Sequence, residues 1–259
     1  MDRQEIRQHI WLYLGSFIQA GRNRTQQNDI WNHFTERVEG WNNRGDDAEI
    51  LHEELHHLVT ANILLPGVAG SDRYYPHFTI SKFGEECLRS GNTLPFDPDG
   101  YVRELQNRIP NIDPIALDYL REAIACYARQ LHLSSTICLG VSSEKCINLL
   151  IDSFARAISD ATEKAKFESR INGRGIYIRF KVFSDELEKR RKLLPSDIMQ
   201  NFEPMVDGIF NFIRLNRNSA GHPTGAVVDR VTLQANLQIF SSYADRVFTL
   251  INFLDNNKI

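Results

Sequence analysis

No stretch of about 18 consecutive apolar residues occurs in the 259-residue chain, so no segment reads as a membrane-crossing helix. The first twenty residues, Met1 to Ala20, carry charges and a helical period in place of a secretory pattern with a cleavage site. The cytoplasm is therefore the expected compartment. Cysteine is scarce, and Cys87, Cys126, Cys138 and Cys146 show no Cys-x-x-Cys spacing. Three of the four fall in helix-patterned segments, which argues against a disulfide framework or a zinc site and makes buried free thiols the expectation. Internal repeats and low-complexity tracts are missing too, which leaves ordinary globular domains, one large or two of common size.

The net charge is small, −3, but its distribution is not even. Residues 1–90 hold nine Lys/Arg against thirteen Asp/Glu, a balance of −4, and residues 164–192 hold ten against four, a balance of +6. A nearly neutral total can thus hide a basic surface able to attract a polyanion.

Apolar residues recur at helical spacing through Ile6, Ile10, Leu14, Phe17 and Ile18, and Gly21 stops the run. Further helices are expected from Gln26 to about Val38 and from about Asp46 to Val59. Pro66-Gly67 and Gly70-Ser71-Asp72 then punctuate a stretch in which Tyr74, Tyr75, Phe78 and Ile80 read as short strands. Three helices followed by a small hairpin are the plan of a winged helix. The segment Phe78-Thr79-Ile80-Ser81-Lys82-Phe83-Gly84-Glu85-Glu86-Cys87-Leu88 resembles the wing and exit helix of that fold. Prolines 95, 98 and 110 mark a linker whose middle, Tyr101 to Ile109, reads as a short helix, and Asp113-Pro114 reads as the cap and first residue of a new helix. From there helices are expected near 114–132, 134–162, 196–218 and 230–255, a four-helix bundle with one long crossover. The expected organisation is mainly α: a winged helix-turn-helix domain with a small β-hairpin over 1–92, a linker over 93–112 and a helical bundle over 113–259.

The richest chemistry lies in Arg217-Asn218-Ser219-Ala220-Gly221-His222. Gly221 and the following Pro223 should end the third bundle helix here, because the residue before proline is pushed out of the α region. Arg217 then stands one turn before the helix end and His222 just past it. A guanidinium can pair bidentately with a phosphate, and an imidazole can exchange protons near neutrality. Arginine for charge and histidine for protons form a minimal set for cleaving RNA without a metal.

This motif resembles the Arg-x(4–6)-His signature of HEPN ribonucleases, which commonly have Asn, His or Asp after the arginine. Tyr119 to Tyr127, Leu139 to Lys145 and Phe240-Ser241-Ser242-Tyr243 resemble the first, second and fourth helices of that family. The likeness covers about 113–259, is similar to the HEPN branch often paired with restriction or abortive-infection systems, and implies that Asn218 positions the histidine or the phosphate. It implies a homodimer with two Arg-His motifs facing one cleft, and RNA cleavage in phage defence or growth arrest, as a toxin or antiviral effector. Some HEPN domains are inert, so a second reading stands beside the ribonuclease: a winged-helix transcription regulator or scaffold with a silent dimerisation module. The charge pattern weighs against it, since Asp46, Asp47, Glu49, Glu53 and Glu54 make the third helix acidic and DNA would repel it. A protein partner suits that domain better.

Three further features bear on function. Ile137, Val141, Glu144, Asn148, Ile151, Ala155 and Ile158 form a helical stripe, so Glu144 and Asn148 interrupt an apolar face. Either Glu144 pairs with and orients Arg217 and His222, or the stripe is rotated and Glu144 meets water. In the basic stretch Phe167, Tyr177, Phe180 and Phe183 could stack on unpaired RNA bases or simply pack on the bundle. The pattern His-Glu-x-x-His is met at His52, Glu53 and His56, but in a helix of a small domain with no room for a substrate cleft. No metal or cofactor is expected. Around the Arg-His motif, residues 213–229 contain one carboxylate, Asp229.

Overall fold

Residues 1–68, 75–200, 202–222 and 228–259 are described by the computed structural model. Tyr74, the Gly70-Ser71-Asp72 turn and Pro223 lie outside the described residues. The protein is mainly helical with a small three-stranded sheet. It divides into two units, residues 1–101 with 127–130, and residues 102–126 with 131–259.

In the first unit Asp2 opens helix α1 (Arg3–Gln19) with a capping box, its carboxylate accepting from the Glu5 amide and Glu5 reaching back to the Asp2 amide. Ile6, Ile10, Leu14 and Ile18 are buried on one face of this helix, as their spacing demands. Strand β1 (Arg24–Gln26), helices α2 (Gln27–Arg37) and α3 (Asp46–Thr60), and strands β2 (Leu64–Pro66) and β3 (His77–Ile80) follow. The sheet runs β1-β3-β2, antiparallel throughout, with Thr25 opposite Phe78 and Leu65 opposite Thr79. Phe78 and Ile80 turn inward onto Ile30, Phe34, Leu51 and Leu55. The expected strand begins later than its sequence suggests, since Tyr75 lies in a turn. Strands β1 and β2 were not expected, because three residues are too few to display an alternating period. Ser81 caps helix α4 (Lys82–Ser90) by accepting from the Gly84 amide, and Gly91 closes it in the left-handed conformation at φ 69°.

Charge is buried in this unit. Arg7 donates to Glu54 at 2.6 Å, with 7% and 1% of the two side chains exposed, and also to Asp97 at 2.7 Å. Arg3 adds a second donor to Glu54 at 2.6 Å and pairs with Glu53. Part of the acidity of α3 is therefore neutralised within the unit.

Helix α5 (Pro98–Arg108) is the short helix expected within the linker, starting three residues earlier, and α6 (Pro114–Ala128) starts as expected, with the Asp113 carboxylate accepting from the Ala116 amide at 3.0 Å. The second unit is built around helix α7 (His132–Ala157), which the later helices α11 and α12 flank. Helices α8 (Ala161–Ile171) and α9 (Ile176–Lys189) form the crossover. The single helix expected over 196–218 is broken into α10 (Ser196–Met199), an extended Gln200, a π-helical turn at 203–208 and α11 (Ile209–Gly221). An apolar period does not register one extended residue, so the break is silent in the sequence. Asp229 caps the last helix, α12 (Arg230–Asn256), accepting from the Val231 and Thr232 amides.

Four serines set the spacing around α7. The Ser135 and Ser142 hydroxyls donate to the Ala123 and Ala116 carbonyls of α6, each at 2.7 Å. Ser143 donates to the Tyr243 hydroxyl, which donates back to the Ser143 carbonyl, both at 3.0 Å, and Ser153 donates to Asp255 at 2.7 Å. Small side chains let helices approach closely, and each buried hydroxyl is satisfied at the contact. Burial pushes the Cys146 thiol up to about 12, so it stays protonated and unreactive. Cys87 is also buried, whereas Cys126 and Cys138 are only partly so.

The crossover corrects the stacking alternative for three aromatics. Phe167, Phe180 and Phe183 are buried, with Phe154 meeting Phe167 and Phe183 edge-on at 5.1 and 5.2 Å. Tyr177 stays exposed.

Removing one partner of a buried ion pair strands the other charge. Glu54→Ala is expected to cost about 3–5 kcal/mol by calorimetry or denaturant melting, while Arg7→Met with Glu54→Leu costs much less. Near-equal losses in the two proteins would contradict this assignment.

Candidate functional site

Arg217 is fixed by its own helix and by α7. It sits on the last full turn of α11, and its side chain lies against Gly140 in the first half of α7. A Cβ added at Gly140 would stand 2.5 Å from both Cβ and Cγ of Arg217. Glycine inside a helix is unfavourable by roughly 1 kcal/mol relative to alanine, so its position here is explained by the close approach. One turn further along α7, Glu144 accepts from Nη2 of Arg217. Nη1 donates to the Asn218 carboxamide oxygen at 2.9 Å. Nε is buried with no hydrogen-bond partner among the described residues. With 31% of the Arg217 side chain and 16% of the Glu144 side chain exposed, the pair is shielded on one side and open on the other.

A guanidinium carries five N–H donors, of which two are used here. Among the described residues the second hydrogens on Nη1 and Nη2 have no acceptor and can meet an anion. Glu144 lowers the net positive charge at this point but holds the planar fork in one orientation, and orientation is what bidentate phosphate binding requires.

The structure brings Arg217, Asn218 and Glu144 into one hydrogen-bonded group. His222 is joined to it through the backbone alone. It is the C-cap of α11, its backbone turns out of the helix at φ −99° and ψ 136°, and its amide donates to the Asn218 carbonyl at 3.1 Å. The imidazole is exposed and makes no hydrogen bond to Arg217, Asn218 or Glu144 among the described residues. The extended backbone at His222 is the conformation expected before a proline.

Both alternatives weighed for Glu144 hold in part. The buried face of α7 is centred on Leu139, Ser143, Cys146, Leu150 and Phe154, so the apolar stripe is rotated from the expected one. Glu144 and Asn148 stand on its flank, half-buried, and both are paired with arginines, Glu144 with Arg217 and Asn148 with Arg179. Sequence reading overlooked Gly140, whose one signal is a glycine inside a 26-residue helix. It also overlooked Arg214, which stacks on the exposed Tyr177 ring at 4.5 Å.

Much of the basic crossover is internally neutralised. Glu186 accepts from Arg170, Lys189 and Arg190, and Arg190 also reaches Glu163. Burial raises the Glu186 carboxyl, but these cations outweigh it and hold the group down at about 2. Lys166, Arg174, Lys181 and Lys192 have no ion pair among the described residues.

In the first unit His52 and His56 are exposed, and Glu53 between them is paired with Arg3. Among the described residues no three His, Cys, Asp or Glu side chains converge as a metal site. Comparison of the chain with protein-family models, curated proteins and solved structures gives no match.

The Gly140 contact can be checked by melting. Gly140→Ala forces Arg217 aside and should destabilise the protein by about 1–3 kcal/mol. Gly15→Ala, inside α1 with nothing within 4 Å of the new methyl, should instead stabilise it by about 0.4–1 kcal/mol. The same sign for both would show that Arg217 yields freely.

Proposed function

We propose that this protein is a metal-independent endoribonuclease of the HEPN type, acting as a homodimer in growth arrest or antiviral defence. The observation that carries the reading is the Arg217 guanidinium, oriented by Glu144 and Asn218 at the end of α11, with His222 as the next residue outside that helix. The resemblance of the Arg217 to His222 segment to the HEPN motif supports it, as does the helical second unit in which the motif closes a helix. Helices joined to a small antiparallel sheet in the first unit support the winged-helix reading, and the acidic α3 suits a protein partner better than duplex DNA.

The chemistry follows from the residue types. The 2′-hydroxyl of the substrate is already held next to the phosphorus, so it is the nearest nucleophile. His222 removes its proton as the oxygen attacks, and the bond from phosphorus to the 5′-oxygen breaks. The leaving oxygen takes a proton from an acid, for which His222 of a second copy is the natural candidate. Arg217 stabilises the charge that grows on the non-bridging oxygens. The products are a 2′,3′-cyclic phosphate and a 5′-hydroxyl. Metal-assisted cleavage would draw on clustered carboxylates, and the carboxylate nearest the motif in space, Glu144, already serves Arg217.

Labelled total RNA incubated with the purified protein tests this. Arg217→Ala and His222→Ala should each slow cleavage by at least about 100-fold while melting as folded proteins. Chelator should leave the rate unchanged, a 2′-deoxy substitution at the cut site should block it, and duplex DNA should be neither cut nor tightly bound. Wild-type rates in folded His222→Ala, or activity lost in EDTA and restored by magnesium, would contradict the reading.

A further inference from the structure

Three residues before Arg217 on α11, Arg214 lays its guanidinium over the ring of Tyr177 in the first turn of α9, the central carbon 4.5 Å from the ring centroid. The seam between these two helices sets that meeting. One turn further back Phe210 packs on Phe180 at 4.8 Å, and both rings are buried. Arg214 lies four residues on from Phe210, and Tyr177 three back from Phe180, so they are the next pair along the same two faces. The pair is therefore fixed from below by packed aromatics, while Tyr177 itself is 45% exposed.

Arg214 differs from the arginines around it in having no counterion. Arg179 of α9 donates to Asn148 and Asp152, and Arg217 donates to Glu144 and Asn218. Arg214 has neither an ion pair nor a hydrogen bond among the described residues, although its side chain is half-buried and its Nε is sealed from solvent. Its two terminal nitrogens are not among the buried atoms, so they reach solvent with their donors unspent. A half-buried cation has given up hydration, and here no carboxylate replaces it. The Tyr177 ring attracts the guanidinium and holds it in place. Unlike a carboxylate, the ring leaves the whole positive charge available. A cation held on an aromatic face with free terminal donors is prepared for a phosphate.

We infer that Arg214, supported by Tyr177, is a second phosphate-binding residue beside Arg217, taking the phosphate next to the scissile one in single-stranded RNA. Residues three apart on a helix have Cβ atoms about 5–6 Å from each other on one side, so the two arginines mark a short step along one strand. Each neutralises one phosphate. A contact of this kind holds the backbone and carries no base preference. Tyr177 acts through Arg214: the guanidinium covers a face of its ring, so the ring orients a cation instead of stacking on a base. The choice of RNA, and of a neighbour to the cleaved bond, rests on the ribonuclease reading; the anion site rests on Arg214 and Tyr177 alone.

The test uses full-length His222→Ala protein and fluorescent RNA hexamers of uridine and of adenosine, so that binding is read without cleavage. Adding Arg214→Gln should weaken both hexamers equally, about fivefold in roughly 0.1 M salt, and lower the salt slope by about 0.7, the share of one phosphate on a single strand. That loss should persist in an Arg217→Ala background, because it comes from a second phosphate. Tyr177→Leu should weaken binding about two- to fivefold, the worth of an aromatic face under a cation, and Tyr177→Phe, which keeps the ring, should restore it. Melting curves check that each variant folds, and the exposed Tyr177 position decides the matter if Arg214→Gln does not. Unchanged affinity and slope in folded Arg214→Gln, a loss confined to one hexamer, a loss that vanishes in the Arg217→Ala background, equal binding by the two Tyr177 variants, or no binding of either hexamer would overturn the site. A wild-type protein that binds both hexamers through Arg214 yet cuts no RNA would remove the ribonuclease reading and leave the anion site standing.

Discussion

One close approach governs the second unit: α11 lies against α7 so tightly at Gly140 that the side chain of Arg217 occupies the space a Cβ would need. This contact sets the depth of the guanidinium, and depth sets which groups it can reach. Glu144 is within reach of Nη2 because it stands one turn along the same face of α7. A helix pair held further apart would leave Glu144 facing water and Arg217 free to sample many rotamers, at an entropic cost whenever it met a phosphate. The serines of α7 serve the same geometry from the other sides. They tie α6 and α12 to it through hydroxyls that satisfy backbone carbonyls and the Tyr243 hydroxyl, so the central helix cannot slide without breaking several buried hydrogen bonds.

The distribution of charge is the second constraint, and it differs from the sum along the chain. The crossover carries an excess of cations, yet Glu186 gathers three of them and Glu163 shares one. These pairs tie α8 to α9 and remove those cations from any outward field. The positive groups left for a polyanion are fewer and more scattered, so the oriented guanidinium at Arg217 weighs more in the account than the basic stretch does. In the first unit the same effect has the opposite sign, with Glu54 neutralised from within by Arg7 and Arg3.

Much of this was readable in the chain, and what was not has identifiable causes. Helix starts were marked by side chains that cap, as at Asp113-Pro114, and the end of α11 was marked by Gly221 before His222. The pairing of Glu144 with Arg217 was one of two readings that its position on the stripe left open. The stripe itself was misplaced by a small rotation, because Ser135, Ser142, Ser143 and Ser153 are buried polar residues that an apolar count ignores. Strands β1 and β2 were too short to show a period.

The central claim is that Gly140 matters to chemistry through Arg217, and a double-mutant cycle on RNA cleavage tests it most directly. Gly140→Ala misplaces the guanidinium by a distance that costs roughly 100-fold in comparable sites. The account predicts that adding Gly140→Ala to Arg217→Ala causes no further loss, because the group it displaces is already gone. Losses that multiply in the double variant, or a Gly140→Ala protein that cleaves at the wild-type rate, would contradict it.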